Sequence, residues 1–219
     1  MDHLEFWRWI HVLLFVFWLG ADVGVFVCGS WMRRESLSDE QRLVLLQASA
    51  VVDLWPRFSA ALMLPVGLML AQAWNPQLPA SWIVIGWIVA LAWLALTLLG
   101  MRYFDQPLGA KLRQITNLFL IGLAIACFWG GASWLQSAEM PFAWLATKLL
   151  LYGVVCLLAI GIDLAFRPVL EGFPLLSAAE RRSEANQLIR AGMNRTLVVV
   201  AALYVVLIAA SFLGIAKPF

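Results

Sequence analysis

Apolar residues run through this chain in long blocks rather than in the alternating or narrow-stripe patterns of a soluble domain. Six blocks stand out: Phe6–Trp31, Trp55–Trp74, Trp82–Met101, Leu112–Leu135, Phe142–Phe166 and Thr196–Gly214. Each is close to, or longer than, the roughly 20 residues that carry a helix across a hydrocarbon core. With no water there to satisfy an open backbone, such blocks must close their hydrogen bonds internally as helices. The pattern predicts an all-α integral membrane bundle of six transmembrane helices, a single transmembrane domain over 1–219. Asp2 and Glu5 precede the first block, its apolar part is long, and no small-residue cleavage site lies before Arg33, so it reads as a retained span and not a leader.

The polar segments between the blocks differ. After the first, Ser38 is followed by Asp39, Glu40 and Gln41, an N-cap with acidic first-turn residues and a capping box. This predicts a surface helix over about 38–54 that runs into the second span near Pro56, where the chain should kink or restart. NPQLPAS and QSAEMP are short turns, so spans two and three form one hairpin and spans four and five another. The longest connection, Arg167 to Arg195, opens with RPVLEGF, read as a breaker. It continues with SAAERRSEANQLIRAGMNR, read as a short amphipathic helix in a cytoplasmic loop, 167–195.

Composition agrees with the blocks: 63% of the residues are apolar and 13% charged, against roughly 25% charged in a soluble domain. Charge placement then sets orientation. Arg33, Arg34, Arg42, Arg102, Lys111, Arg113, Arg167, Arg181, Arg182, Arg190 and Arg195 follow spans one, three and five, whereas the opposite side carries only Arg8 and Lys217. The positive-inside rule puts the first set in the cytoplasm and both termini outside, as in a multi-pass protein of a bacterial cytoplasmic (inner) membrane. Trp7, Trp9, Trp74, Trp82, Trp134 and Trp144 supply interfacial belts. The net charge of +2 thus reflects topology and gives no reason to expect nucleic acid. Cys28, Cys127 and Cys156 lie inside apolar blocks, with no pair at metal-ligand spacing, and read as small buried hydrophobes.

Ionisable residues inside a span are costly and need a reason. At 1.5 Å of rise per residue, His11 lies roughly 8 Å below the outer end of span one and Lys148 roughly 9 Å below that of span five. They share a level. His11, Phe15, Trp18 and Asp22 share one face of span one, which places Asp22 about 16 Å further in. Near the inner end, Asp22, Asp53, Arg57, Asp163 and Arg167 come from three spans, with Asp53/Arg57 and Asp163/Arg167 spaced i, i+4. Two readings stand for this cluster: structural ion pairing, or a proton or ion path. Two stand for Lys148 as well: snorkelling to the outer headgroups, or a site. His11 is either a hydrogen-bonded core histidine or a ligand or proton carrier.

Three segments carry a resemblance. WIHVLLFVFWLGADVG in span one resembles the histidine and Trp-x-Gly pattern of the copper-resistance D membrane domain, the HemJ-type protoporphyrinogen oxidase and the membrane domain of certain urate hydroxylases. RFSAALMLPVG, Arg57 to Gly67, resembles the Arg-Phe-Ser start of a span in the copper-resistance D group, and WLATKLLLYGVV, Trp144 to Val155, the Trp-Leu-x-x-Lys-Leu stretch of the same superfamily. The chain departs from the HemJ-type pattern in its extra third and fourth spans and in lacking a Leu-Pro-Arg segment after span one.

The resemblance implies a haem b-binding or related redox role, with His11 and Lys148 as the functional pair: His11 as axial ligand, and so metal ligand, or proton carrier, and Lys148 as anchor for a carboxylate such as a porphyrin propionate. His3, the other histidine, is too near in sequence to reach the opposite haem face easily, so a second ligand would be Met69, Lys148, a group from a second copy of the chain, or none. A quinone could stand in for haem, and a membrane redox partner or a homo-oligomer is compatible with the pattern. Copper or small-solute transport of the copper-resistance D type, gated by the inner cluster, is the alternative, although Met63 and Met69 do not share a face. The third reading is a scaffold or accessory subunit without chemistry.

Overall fold

The computed structural model describes residues 2–104, 106–137 and 142–218, and among them it contains helices and turns but no strand. The helices are α1 (His3–Met32), α2 (Asp39–Val52), α3 (Leu54–Trp74), α4 (Ala80–Arg102), α5 (Pro107–Gln136), α6 (Ala143–Gly172) and α7 (Arg182–Ala216). All but α2, which leads directly into α3, are by themselves long and apolar enough to cross a membrane, so this is a multi-pass membrane protein. They form a ring in chain order: α1 against α3, then α4, α5, α6 and α7, with α7 returning to α1. Both termini emerge at one end, where Lys217 meets Trp74 and Trp144; the charge distribution marks this end as outer. The turn expected over QSAEMP lies mostly outside the described residues.

Local chemistry explains the first boundaries. Asp2 caps α1, accepting from the Glu5 amide, while the Glu5 carboxylate accepts from the Asp2 amide. Ser38 and Gln41 make the same reciprocal pair at the start of α2. Between α2 and α3 the chain turns at Asp53 and restarts one residue later, with Pro56 in the first turn of α3, where a missing N–H costs no hydrogen bond.

The expected 167–195 loop is not a loop. α6 continues through Arg167 and Pro168 to Gly172, two short 3₁₀ turns follow (Phe173–Ser177 and Ala179–Arg181), and the segment read as a separate amphipathic helix is the start of the 35-residue α7. Close packing overrides the breaker signals. A Cβ on Gly172 would come within 3.0 Å of the Ala185 carbonyl oxygen, and one on Gly192 within 3.1 Å of the Val169 amide nitrogen. The two glycines let α6 and α7 touch backbone to backbone, as small residues do between membrane helices. Val169, Ala185 and Ile189 seal the seam with no exposed surface. That packing outweighs the one hydrogen bond lost at Pro168.

Two of the three apolar clusters among the described residues bear on the sites. The larger joins Trp18, Ala60, Ala61, Trp93, Ala124, Tyr152, Cys156 and Leu203 near mid-depth, and the Tyr152 hydroxyl donates across it to the Ala60 carbonyl at 2.7 Å. The smaller, around Met32, Val169, Ile189 and Met193, lies toward the cytoplasmic end.

Candidate functional site

The outer half of the ring collects groups without partners. His11, on α1, packs toward α3, where its Cε1 would stand 3.8 Å from a Cβ at Gly67. Its Nδ1 is buried and has no hydrogen-bond partner among the described residues. Lys148 lies about 7–8 Å into α6 from its outer end. Its Nζ occupies the space over Gly214 of α7, 2.9 Å from where a Cβ would stand, so any larger residue at 214 would displace the ammonium. Lys148 is the charged group whose field reaches His11. His11 and Lys148 thus stand at one level in the outer half, His11 against Gly67 of α3 and Lys148 against Gly214 of α7.

An aromatic cap closes the outer mouth. The rings of Trp74 and Trp144 meet edge to face at 5.9 Å, with Phe142 against both. The Lys217 ammonium sits 3.9 Å from the Trp74 centroid and 5.8 Å from that of Trp144, a cation–π clasp joining the ends of α3, α6 and α7. In sequence Trp74 and Trp144 read as belt residues and Lys217 as one of two outer basic residues, with Arg8. Nothing in their spacing says that three distant segments converge.

Met69 belongs to a neighbouring cleft. With His3, Trp7, Gln72 and Ile83 it lines a cavity of about 200 Å³ between α1, α3 and α4, one to two turns outside His11 along α1. The His3 Nε2 accepts from the Trp7 indole N–H at 3.1 Å.

The inner half is different. Arg57 donates to Asp53 at 2.6 Å, Arg167 to Asp163 at 3.4 Å, and the Asn117 amide to the same Asp163 oxygen at 3.1 Å. Both sequence-expected pairs are therefore made. Arg57 also lies in the field of Asp22 and Asp163, so one guanidinium gathers carboxylates from three parts of the chain. Asp22 is the exception within the cluster: it is 5% exposed, and its Oδ2 and the Tyr204 hydroxyl are polar neighbours, both buried and neither in a hydrogen bond of standard geometry among the described residues. Trp18, 3% exposed and on the same face of α1, stands between Asp22 and His11 as part of the mid-depth apolar cluster. Outer site and inner cluster are separated by packed side chains.

Arg42 was counted in sequence as one more cytoplasmic charge. It is 1% exposed, donating to the Met32 carbonyl at 2.9 Å and to the Asn186 side chain at 2.8 Å, so it pins α2 to the ends of α1 and α7. No periodicity distinguishes it from the exposed arginines around it.

Among the described residues no three of the His, Cys, Asp and Glu side chains gather as a metal-binding group. Comparison with protein-family models, with curated proteins and with solved structures finds no match.

Proposed function

We propose that the outer half of the ring binds an anionic redox-active cofactor, with haem b the leading candidate, and that the protein has a redox role in its membrane. The observation that carries this reading is the placing of His11 and Lys148: a buried imidazole nitrogen with no hydrogen-bond partner among the described residues and, at the same level, an ammonium with no ion pair among them, both beneath an aromatic cap. Polar groups in a low-dielectric interior are normally satisfied, and those that are not mark sites.

The donor set fits the group. Imidazole is a haem ligand and a proton carrier, and an ammonium in an apolar setting is a counter-charge for a carboxylate. Haem would supply one-electron chemistry; the chain's own part is to present a neutral nitrogen from His11, to hold a carboxylate with Lys148 and to exclude water with Trp74, Trp144 and Lys217. The test is a reduced-minus-oxidised visible spectrum with haem extraction, run on protein purified in mild detergent from haem-replete cells. A b-type signal in wild type, lost in His11→Ala and weakened in Lys148→Met, is expected. Haem-free wild-type protein would overturn the reading.

Transport of copper or another small solute is the second reading, favoured by the buried Asp22 and Tyr204 oxygens, which neighbour each other deep in the bundle without a formed hydrogen bond among the described residues. It requires Trp18 to move aside. Uptake of labelled copper into proteoliposomes, abolished by Asp22→Asn and intact in His11→Ala, would favour it.

A further inference from the structure

At the cytoplasmic end, where α7 closes the ring against α1, a cavity of about 350 Å³ is lined by Ser30, Arg33, Arg34, Glu35, Arg190 and Asn194. Three guanidiniums face one carboxylate, and that carboxylate, Glu35, is only loosely engaged by Arg190 at 3.9 Å. The excess charge is held in shape. Arg33 is fixed by the Ser30 carbonyl and the Asn194 side-chain oxygen, and Arg34 stacks over Trp31 with its guanidinium carbon 5.1 Å from the ring centroid. Two held guanidiniums, with Arg190 free to close over them, match the oxygens of a phosphate group.

The surface beside the cavity says which phosphate. Trp31 is 47% exposed, at the level where tryptophans mark the headgroup boundary. From Arg34 toward mid-membrane, Trp31, Val27 and Val23 form an exposed apolar stripe on α1. From Asn194, Val198 and Val205 form another on α7, with Val198 70% exposed. A charged pocket opening onto two apolar stripes is a headgroup site with room alongside for acyl chains.

We propose that this cavity binds the phosphate headgroup of an anionic phospholipid, whose chains lie along the α1–α7 seam. Arg33, Arg34 and Arg190 hold the phosphate oxygens, and Ser30 and Asn194 complete the pocket. Basic pockets between membrane helices on the cytoplasmic side take anionic headgroups in this way. The site is independent of the outer-half cofactor reading.

The test is native mass spectrometry of delipidated protein titrated with phosphatidylglycerol or phosphatidylcholine in detergent. Wild type should retain one phosphatidylglycerol at concentrations where phosphatidylcholine is lost. The double variant Arg33→Gln/Arg190→Gln should weaken that retention at least tenfold, and Arg181→Gln, which removes a cytoplasmic arginine paired elsewhere with Glu184, should leave it unchanged. Because Arg33 also holds Asn194, Arg34→Gln serves as a second variant whose described contact is only with Trp31, and it should weaken retention severalfold. Equal retention of both lipids, or equal loss in Arg181→Gln, would overturn the site. Displacement of the lipid by millimolar inorganic phosphate would overturn the lipid assignment in favour of a soluble phosphate ligand.

Discussion

The two halves of the ring treat their ionisable residues in opposite ways. Toward the cytoplasm the two arginine–carboxylate pairs read from the i, i+4 spacing, Asp53–Arg57 and Asp163–Arg167, are both made, and Asn117 adds a neutral donor to Asp163. Toward the outside, neither the His11 Nδ1 nor the Lys148 ammonium has such a partner among the described residues, although both are held in a ring of helices and covered by an aromatic cap. A charge that only anchors helices is best compensated where it stands, because a lone charge in hydrocarbon is expensive. A charge kept for a ligand must wait without a protein partner. On this comparison the paired inner charges hold the fold and the outer ones hold something else, although Asp22, Tyr204 and one nitrogen of Arg42 are inner groups that, like the His11 Nδ1, are buried without a hydrogen-bond partner among the described residues.

The largest expected effect comes from removing the most deeply buried charge of the cytoplasmic end. Arg42→Leu strands the Met32 carbonyl and the Asn186 side chain and detaches α2 from α1 and α7. A loss of about 3 kcal/mol is expected, since breaking a buried charged hydrogen-bond network costs several kcal/mol. Arg42→Lys should recover little of it, because an ammonium cannot span the two acceptors as the planar fork does. Thermal unfolding in detergent, followed by tryptophan fluorescence, measures both; a melting temperature unchanged in Arg42→Leu would mean that the cytoplasmic charges are not structural.

Lys148→Met sharpens the other side of the comparison. Methionine keeps most of the side-chain length while removing an ammonium that has no ion-pair partner among the described residues. Stability should therefore hold or rise by up to about 1 kcal/mol, as when an uncompensated buried charge is replaced by an apolar group. Ligand binding should fall at the same time. A stability loss of more than about 1 kcal/mol would instead make Lys148 a structural residue, held by the negative end of α7 beside Gly214.

The six spans and the α2 cap were legible because block length and capping chemistry are local. So was the level shared by His11 and Lys148, since helical rise converts residue number into depth. The extension of α6 past Pro168 was not legible: Pro168 and Gly172 look like breakers in one dimension, whereas in three Gly172 and Gly192 are contact points, and only the partner helix decides which. The same holds for Arg42 and Lys217. One is buried by elements 10 and 144 residues away, the other caught by tryptophans from two other helices. Sequence spacing reports which residues share a helix face, not which helices bring their ends together.

The smallest effect belongs to the i, i+4 pairs, and it limits how strongly the inner half can be called structural. In the Asp53–Arg57 pair the arginine side chain is half exposed, so solvent screening reduces what the 2.6 Å contact contributes. A double-mutant cycle with Asp53→Asn and Arg57→Gln should yield a coupling of about 0.5 kcal/mol or less. Arg57→Gln alone should cost more than Asp53→Asn, because Arg57 also lies in the field of Asp22 and Asp163, and removing it leaves Asp22 and Asp53 near each other without their common counter-charge. Asp22→Asn added to Arg57→Gln should then recover part of the loss, since it removes one of the repelling carboxylates. No recovery would mean that Asp22 carries no charge in the folded protein, and would put it with His11 and Lys148 among the residues held for a ligand or a proton.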